Sequence, residues 1–245
     1  MPHADIYSLE YAKNIKQWAA GALSCLIAEL DTMIELLNCD CMEYMATVPD
    51  KYFDLAIVDP PYGIGIVQQM EKTVASKSSM MKGSNGITGG HWDDAIPKKE
   101  YFAELFRVSK NQIIWGGNYF LDYLGATRCF CIWDKMNGTN PMADAELAWA
   151  SFERSVRMFR MHHFSAGYES KIHPTQKPVA LYNWLLTNYA KKGQRILDTH
   201  LGSGSSAIAA HYFGVDFVGC ELDKDYFEAA KARFDMATKQ LAMSI

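Results

Sequence analysis

From Met33 onward, the spacing of apolar residues alternates between two periods. Short apolar runs bounded by turn formers predict strands, and apolar residues three and four apart predict helices. "MIELLNCD" reads as a strand and "CMEYMATVPD" as a short helix ended near Pro49. "DLAIVDPPYG" is a buried strand that must stop at its prolines, because proline donates no ladder hydrogen bond. After Pro97, Tyr101, Phe102, Leu105 and Phe106 mark an amphipathic helix; "NQIIWGG" and "TRCFCIWD" follow as buried strands and "AELAWASF" as an alternating one. Then come helix "KPVALYNWLLTNYAKK", strand "QRILDTH", helix "SSAIAAHYFG" and strand "VDFVGCELD". A last helix runs from Asp225 to about Leu241, with Phe227, Ala230, Phe234, Ala237 and Leu241 on one face. Two stretches have no period, residues 64–96 and Glu153 to Gln176; a loop as long as the first is expected to be functional or disordered. Strands alternating with helices predict an α/β fold, a Rossmann-like, mostly parallel sheet with helices on both faces.

Composition narrows the class. The chain has 245 residues, 49% of them hydrophobic, enough for one domain with a buried core and too many for wholesale disorder. A net charge of −4 gives no global nucleic-acid signal, so a polyanion would have to be met by a local basic patch. The six cysteines form no CxxC pair, and Cys39/Cys41 and Cys129/Cys131 read as strand-end or core thiols rather than zinc ligands. No metal is expected, and a reducing cytoplasm is the expected compartment. "WAAGALSCLIA" after Lys13 and Lys16 is too short to span a membrane. Ile15, Trp18, Ala22, Leu26 and Leu30 fall on one helical face, so residues 1–32 are expected to be an accessory helical extension to a single domain at 33–245.

Ligands of such sheets bind beyond the carboxyl ends of the strands, where "VDPPYG" and "LDTHLGSGSS" would both open. In the second, the glycines let a ligand approach the backbone, and the helix start offers free N–H groups. Glu221 ends the following strand, 17 residues after Gly204, where a carboxylate can accept from both hydroxyls of a ribose. The plainer alternative is a tight strand–helix turn beside a surface Glu. A nicotinamide dinucleotide is another option, although Ala207 stands where its fingerprint has a third glycine. The strand-end acids Asp198 and Glu221 suit a cationic, phosphate-free nucleoside better than a pyrophosphate.

"DPPYG", "HPTQKP" and "LDTHLGSGSS" occur in that order, and the set resembles the S-adenosylmethionine-dependent amino-group DNA methyltransferases. With the catalytic motif first and the glycine loop last, it is similar to the permuted beta arrangement of that family, while "ELFRVSKNQIIWGGNYF" and "HPTQKPVALYNWLLTNYAKKG" look like phage and prophage members. The resemblance implies the class I methyltransferase fold and an enzyme with S-adenosylmethionine as cofactor and double-stranded DNA as partner. Asp59 and the Pro60 carbonyl would accept the two hydrogens of the target amine, Pro61 would complete the rigid turn, and Tyr62 would stack on the extruded base. The cofactor would be held by Asp198, by Gly202, Ser203, Gly204 and Ser205, by Glu221 at the ribose, by Asp40 with Cys41 near the adenine, and by Thr175 and Lys177 near its carboxylate. The family usually has Pro-Phe after the glycine-loop acid, and Thr199-His200 stands here instead, which puts an aromatic cofactor contact in doubt. Met33 also sits where such chains commonly begin.

An exocyclic amine is a poor nucleophile because its lone pair is delocalised into the ring. Two acceptors on its N–H bonds draw the nitrogen toward tetrahedral geometry and stabilise the charge that develops. A target inside a duplex must be flipped out. Arg154, Arg157, Arg160, Lys171 and Lys177, with Lys72, Lys77, Lys82, Lys98 and Lys99, are candidate phosphate contacts or simply solvated side chains. Asn118, Arg157 and Arg160 are candidate DNA contacts, and His162-His163 is not expected to bind metal. The target-recognition segment, 153–172, is very short, so site choice would rest on the 64–96 loop, on a second subunit as a homodimer, or be relaxed. Aspartate at position 59 resembles the adenine-N6 enzymes. Cytosine-N4 and RNA-adenine enzymes, a nicotinamide oxidoreductase and a non-catalytic DNA-binding module are the alternatives.

Overall fold

The computed structural model describes residues 32–65, 93–138, 143–162, 172–173 and 175–242. The expected N-terminal helix, Lys72, Lys77, Lys82, His163 and Lys171 lie outside them.

Among the described residues eight strands form one sheet: β1 (Ile34–Asn38), β2 (Phe53–Val58), β3 (Ser109–Trp115), β4 (Cys129–Asp134), β5 (Ala145–Ala150), β6 (Arg157–Arg160), β7 (Arg195–Asp198) and β8 (Asp216–Glu221). Their order is β1-β8-β7-β2-β3-β5-β4-β6. Every neighbouring pair is parallel except the two made by β5. The sheet is thus the mostly parallel one the pattern predicts. β2 and β7 are central neighbours, paired through Leu55 with Ile196 and Ala56 with Leu197, so Asp59, just after β2, and Asp198, at the end of β7, emerge at the same edge.

Helices cover both faces. On one face α1 (Cys41–Thr47) and α2 (Lys99–Val108) bury Met45, Phe102 and Leu105 against Phe53, Ala56 and Ile114. On the other, α3 (Val179–Tyr189), α4 (Ser205–Phe213) and α5 (Lys224–Ala242) pack Leu181, Leu185, Ala209 and Ala230 against Leu55, Ile57 and Ile196. Burial on both faces explains why β2 reads as a continuous apolar run rather than an alternating one. Arg107 of α2 ties the α1 side together: its guanidinium donates to the carbonyls of Met45 (2.7 Å) and Val48 (2.8 Å) and pairs with Glu104 and Asp50. The Met45 carbonyl also accepts the N–H of the C-cap residue Val48 (3.0 Å), so Arg107 reinforces a helix end whose last carbonyls are short of intrahelical donors.

One element departs from expectation. Within the stretch read as irregular, Arg157–Arg160 forms β6 at the sheet edge, paired in parallel with β4 from Cys131↔Arg157 to Asp134↔Arg160. Only Phe159 of its four residues is even half buried, so no apolar period marks it. β5 is half-buried in its first half and buried in its second rather than alternating, because both sheet faces are covered there: Ala148 and Ala150 enter one core and Trp149 the other.

Candidate active site

At the carboxyl end of β2 the chain turns through Asp59, Pro60, Pro61 and Tyr62. The Tyr62 hydroxyl donates to Asp59 Oδ1 (2.6 Å), and Lys177 Nζ donates to Asp59 Oδ2. Asp93 fixes the far side of the turn, its Oδ1 accepting the backbone N–H of Tyr62 (2.8 Å) and of Gly63 (3.0 Å). The Tyr62 ring lies against Gly116, which follows β3: a Cβ there would come within 2.2 Å of the ring, and φ is +68°. Glycine is required on both counts. The next residues form a 3₁₀ turn, Gly117–Tyr119, whose Tyr119 ring stacks on Tyr62 at 5.1 Å and 16°.

Lys177, immediately before Pro178 caps α3, is 3% exposed and fully engaged. Its ammonium also pairs with Glu146 of β5 (3.0 Å) and donates to the Tyr62 hydroxyl (3.3 Å). Glu146 in turn binds Lys135, just past β4, at 2.6 Å. Burial pushes the Asp59 carboxyl up, Lys177 pulls it back, and the Glu146 carboxylate raises it again. Glu146 is held below the ordinary carboxylate value by its two lysines, against the upward pull of burial. Two carboxylates facing one ammonium keep Lys177 charged despite its burial.

Beside this turn, at the end of β7, Asp198 Oδ2 accepts from Ser206 (2.6 Å) and Oδ1 from the His200 N–H (3.0 Å). Burial raises its carboxyl to about 7, and the Asp59 charge adds to the rise. The loop to α4 carries Gly202 at φ +52° and Gly204 at φ +73°. Glu221 ends β8 and spans the loop, accepting from Gly202 N–H (2.8 Å) and Asp223 N–H (3.1 Å). Ser205 donates to the Lys177 carbonyl (2.7 Å), which staples the glycine loop to the residue that grips Asp59. Arg233 of α5 donates to Ser203 O (2.7 Å) and Ser205 Oγ (2.9 Å).

The remaining predicted residues fall around the same edge or away from it. Asp40 caps α1, its Oδ1 accepting the Met42 N–H at 2.7 Å, with Cys41 opening that helix. Thr175 meets the His173 ring at 3.1 Å, and that ring lies beside Tyr226 and within reach of Gly202. Asn118 is exposed in the 3₁₀ turn beside Tyr119. Arg157 and Arg160 stand on the edge strand, Arg160 drawn toward Asp134 (3.3 Å). Where the sequence departs from the family at Thr199-His200, Thr199 bonds the Tyr101 hydroxyl (2.6 Å) and the His200 ring meets Tyr101 edge-on at 5.4 Å. These contacts tie the Thr199-His200 turn to α2. Burial holds the rings of His173 and His200 down to about 4, so both are neutral near pH 7. Sequence reading missed Glu146, Lys135, Asp93 and Tyr119; a buried-face Glu in "AELAWA" and the doubled glycine before Tyr119 were the available signals.

The lining is rich in acceptors: Asp40, Asp59, Asp198 and Glu221 converge, while Lys177 and Arg233 are turned to protein partners. Such a set fits a cationic nucleoside with hydroxyls to be bonded. It is a poor match to a pyrophosphate, which needs free cations or N–H groups.

Known proteins resemble this chain in sequence and in fold. Residues 132–232, from β4 through the glycine loop into α5, match the family model described as DNA methylase. That family uses S-adenosylmethionine. The chain is similar to YubD of Escherichia coli (strain K12), a methylase by description, at 25% identity over 86% of this chain and 93% of that one. Among solved structures it superposes on the M1.HpyAVI–SAM complex with a TM-score of 0.56, 20% identity, and coverage of 83% of this chain and 100% of the other. It also superposes on PvuII DNA methyltransferase (cytosine-N4-specific), with a TM-score of 0.52, 11% identity, and coverage of 85% and 92%.

Proposed function

We propose that the protein transfers a methyl group from S-adenosylmethionine to the N6 amine of an adenine flipped out of double-stranded DNA. The observation that carries this reading is the staple through Lys177. One residue grips Asp59 by its ammonium and the glycine-loop helix by its carbonyl, so an amine acceptor and a nucleoside pocket share one edge.

S-adenosylmethionine, when bound, supplies an electrophilic methyl on a sulfonium. The residues that would hold it are Asp198 for its amino-acid part, Glu221 for the ribose hydroxyls, Asp40 with Cys41 for the adenine, and Thr175 for its carboxylate. At the turn, Asp59 and the Pro60 carbonyl accept the two N–H bonds of the target amine, and the lone pair is then free to form the N–C bond as the C–S bond breaks. The proton that the new secondary amine must lose passes to Asp59, the nearest anionic acceptor. Tyr62 supports the base by stacking, worth about 1–3 kcal/mol. Asp59 carries one donor on each oxygen, from Tyr62 and from Lys177, and its remaining lone pairs are what an arriving amine would use.

The test is labelled methyl transfer onto host and random DNAs, followed by hydrolysis to nucleosides, with Asp59→Ala as control. Labelled N6-methyladenine that disappears in the control is the expected outcome. Labelled N4-methylcytosine without methyladenine overturns the adenine assignment, and no transfer to any DNA overturns the activity.

A further inference from the structure

Four charges stand in line at the heart of this site: Lys135, Glu146, Lys177 and Asp59. An ammonium there is awkward for the reaction proposed above, because the methyl donor is itself a cation and the amine becomes one as it is attacked. Left alone, Lys177 would repel both. Glu146 removes the difficulty. It pairs with Lys177 at 3.0 Å from the β5 side, and with Lys135 beyond, so the signs alternate and the row is neutral.

We propose that Glu146 is the charge-compensating residue of the site: it positions Lys177 on Asp59 and cancels the lysine's charge toward a sulfonium ligand. It touches neither base nor methyl donor and acts only through Lys177. The proposal rests on the reading of the site as an S-adenosylmethionine pocket. Its consequence is a difference between two ligands alike in all but charge at sulfur. S-adenosylmethionine carries the positive charge and S-adenosylhomocysteine does not. A substitution that leaves the site one charge more positive must weaken the first selectively, whereas mere structural damage weakens both.

The experiment is calorimetric titration of the full chain with each ligand. For Glu146→Gln, the affinity for S-adenosylmethionine relative to S-adenosylhomocysteine should fall by about tenfold, with homocysteine-analogue binding near wild type. Glu146→Asp should restore much of the ratio. Lys135→Met, which leaves the row one charge more negative, should move the ratio the opposite way by about twofold, reduced by solvent screening. This second variant keeps the test open if Glu146→Gln folds poorly. Equal losses for both ligands in Glu146→Gln, or shifts of the same sign in Glu146→Gln and Lys135→Met, overturn the proposal. A wild-type chain that binds neither ligand instead overturns the reading of the pocket itself.

Discussion

At the scale of single residues, Asp198 makes the sharpest demand on experiment. Its carboxyl is raised to about 7, chiefly by burial. A raised acid binds its proton more tightly folded than unfolded. Its contribution to stability is therefore full below about pH 4, the unfolded value, and is lost as pH rises through about 7. Asp198→Asn carries no charge at any pH, so it should gain stability relative to wild type across that window. Urea midpoints of both proteins at several pH values measure the difference, in which the buried histidines cancel. The same variant should bind S-adenosylmethionine more weakly at pH 8, where the wild-type carboxylate is ionised. Local logic made such residues legible: an acid at a strand end, followed by glycines or prolines, announces itself. Lys177 did not announce its partner. Its grip on Asp59 closes a gap of 118 residues, and no spacing rule reaches that far.

At the scale of elements, the glycine loop and α4 show how a turn is committed to its backbone. Gly204 caps α4 at φ +73°, and a Cβ there would sit 3.2 Å from the Ala230 carbonyl of α5. Gly204→Ala should cost about 1–2 kcal/mol from the left-handed conformation alone, lowering Tm by about 2–8 °C, and α5 must shift to make room. Differential scanning calorimetry checks the first effect, and weaker S-adenosylhomocysteine binding should accompany it. Most elements were readable because burial on one stripe or on both faces leaves a period: α2 with Tyr101, Phe102 and Leu105, and β2 with its unbroken run. β6 was not, since an edge strand of Arg-Met-Phe-Arg with one paired side needs no apolar alternation to form.

At the scale of the whole molecule, a net charge of −4 means the proposed DNA substrate would have to be met by a few exposed cations. Arg154 is folded back onto the Asn188 carbonyl and the Tyr189 ring, and Arg160 onto Asp134; among the three arginines of this stretch, Arg157 is left standing on the edge strand. Arg157→Ala should weaken DNA binding with little regard for sequence and reduce the slope of log affinity against log salt by about 1. Titrations at several salt concentrations decide it. An unchanged slope means that phosphate is met elsewhere.

The overall architecture was written in the order of the motifs, yet one detail of the sheet carries more than topology. Reversing β5 exchanges the ends of a strand, so its first residues lie where its neighbours' last ones do. Glu146, the second residue of β5, therefore arrives at the edge where β2 delivers Asp59. Run parallel over the same footprint, β5 would place that carboxylate three residues further back along the strand, on the order of 10 Å from where it stands. In this molecule the direction of one strand decides whether a second carboxylate stands beside Lys177.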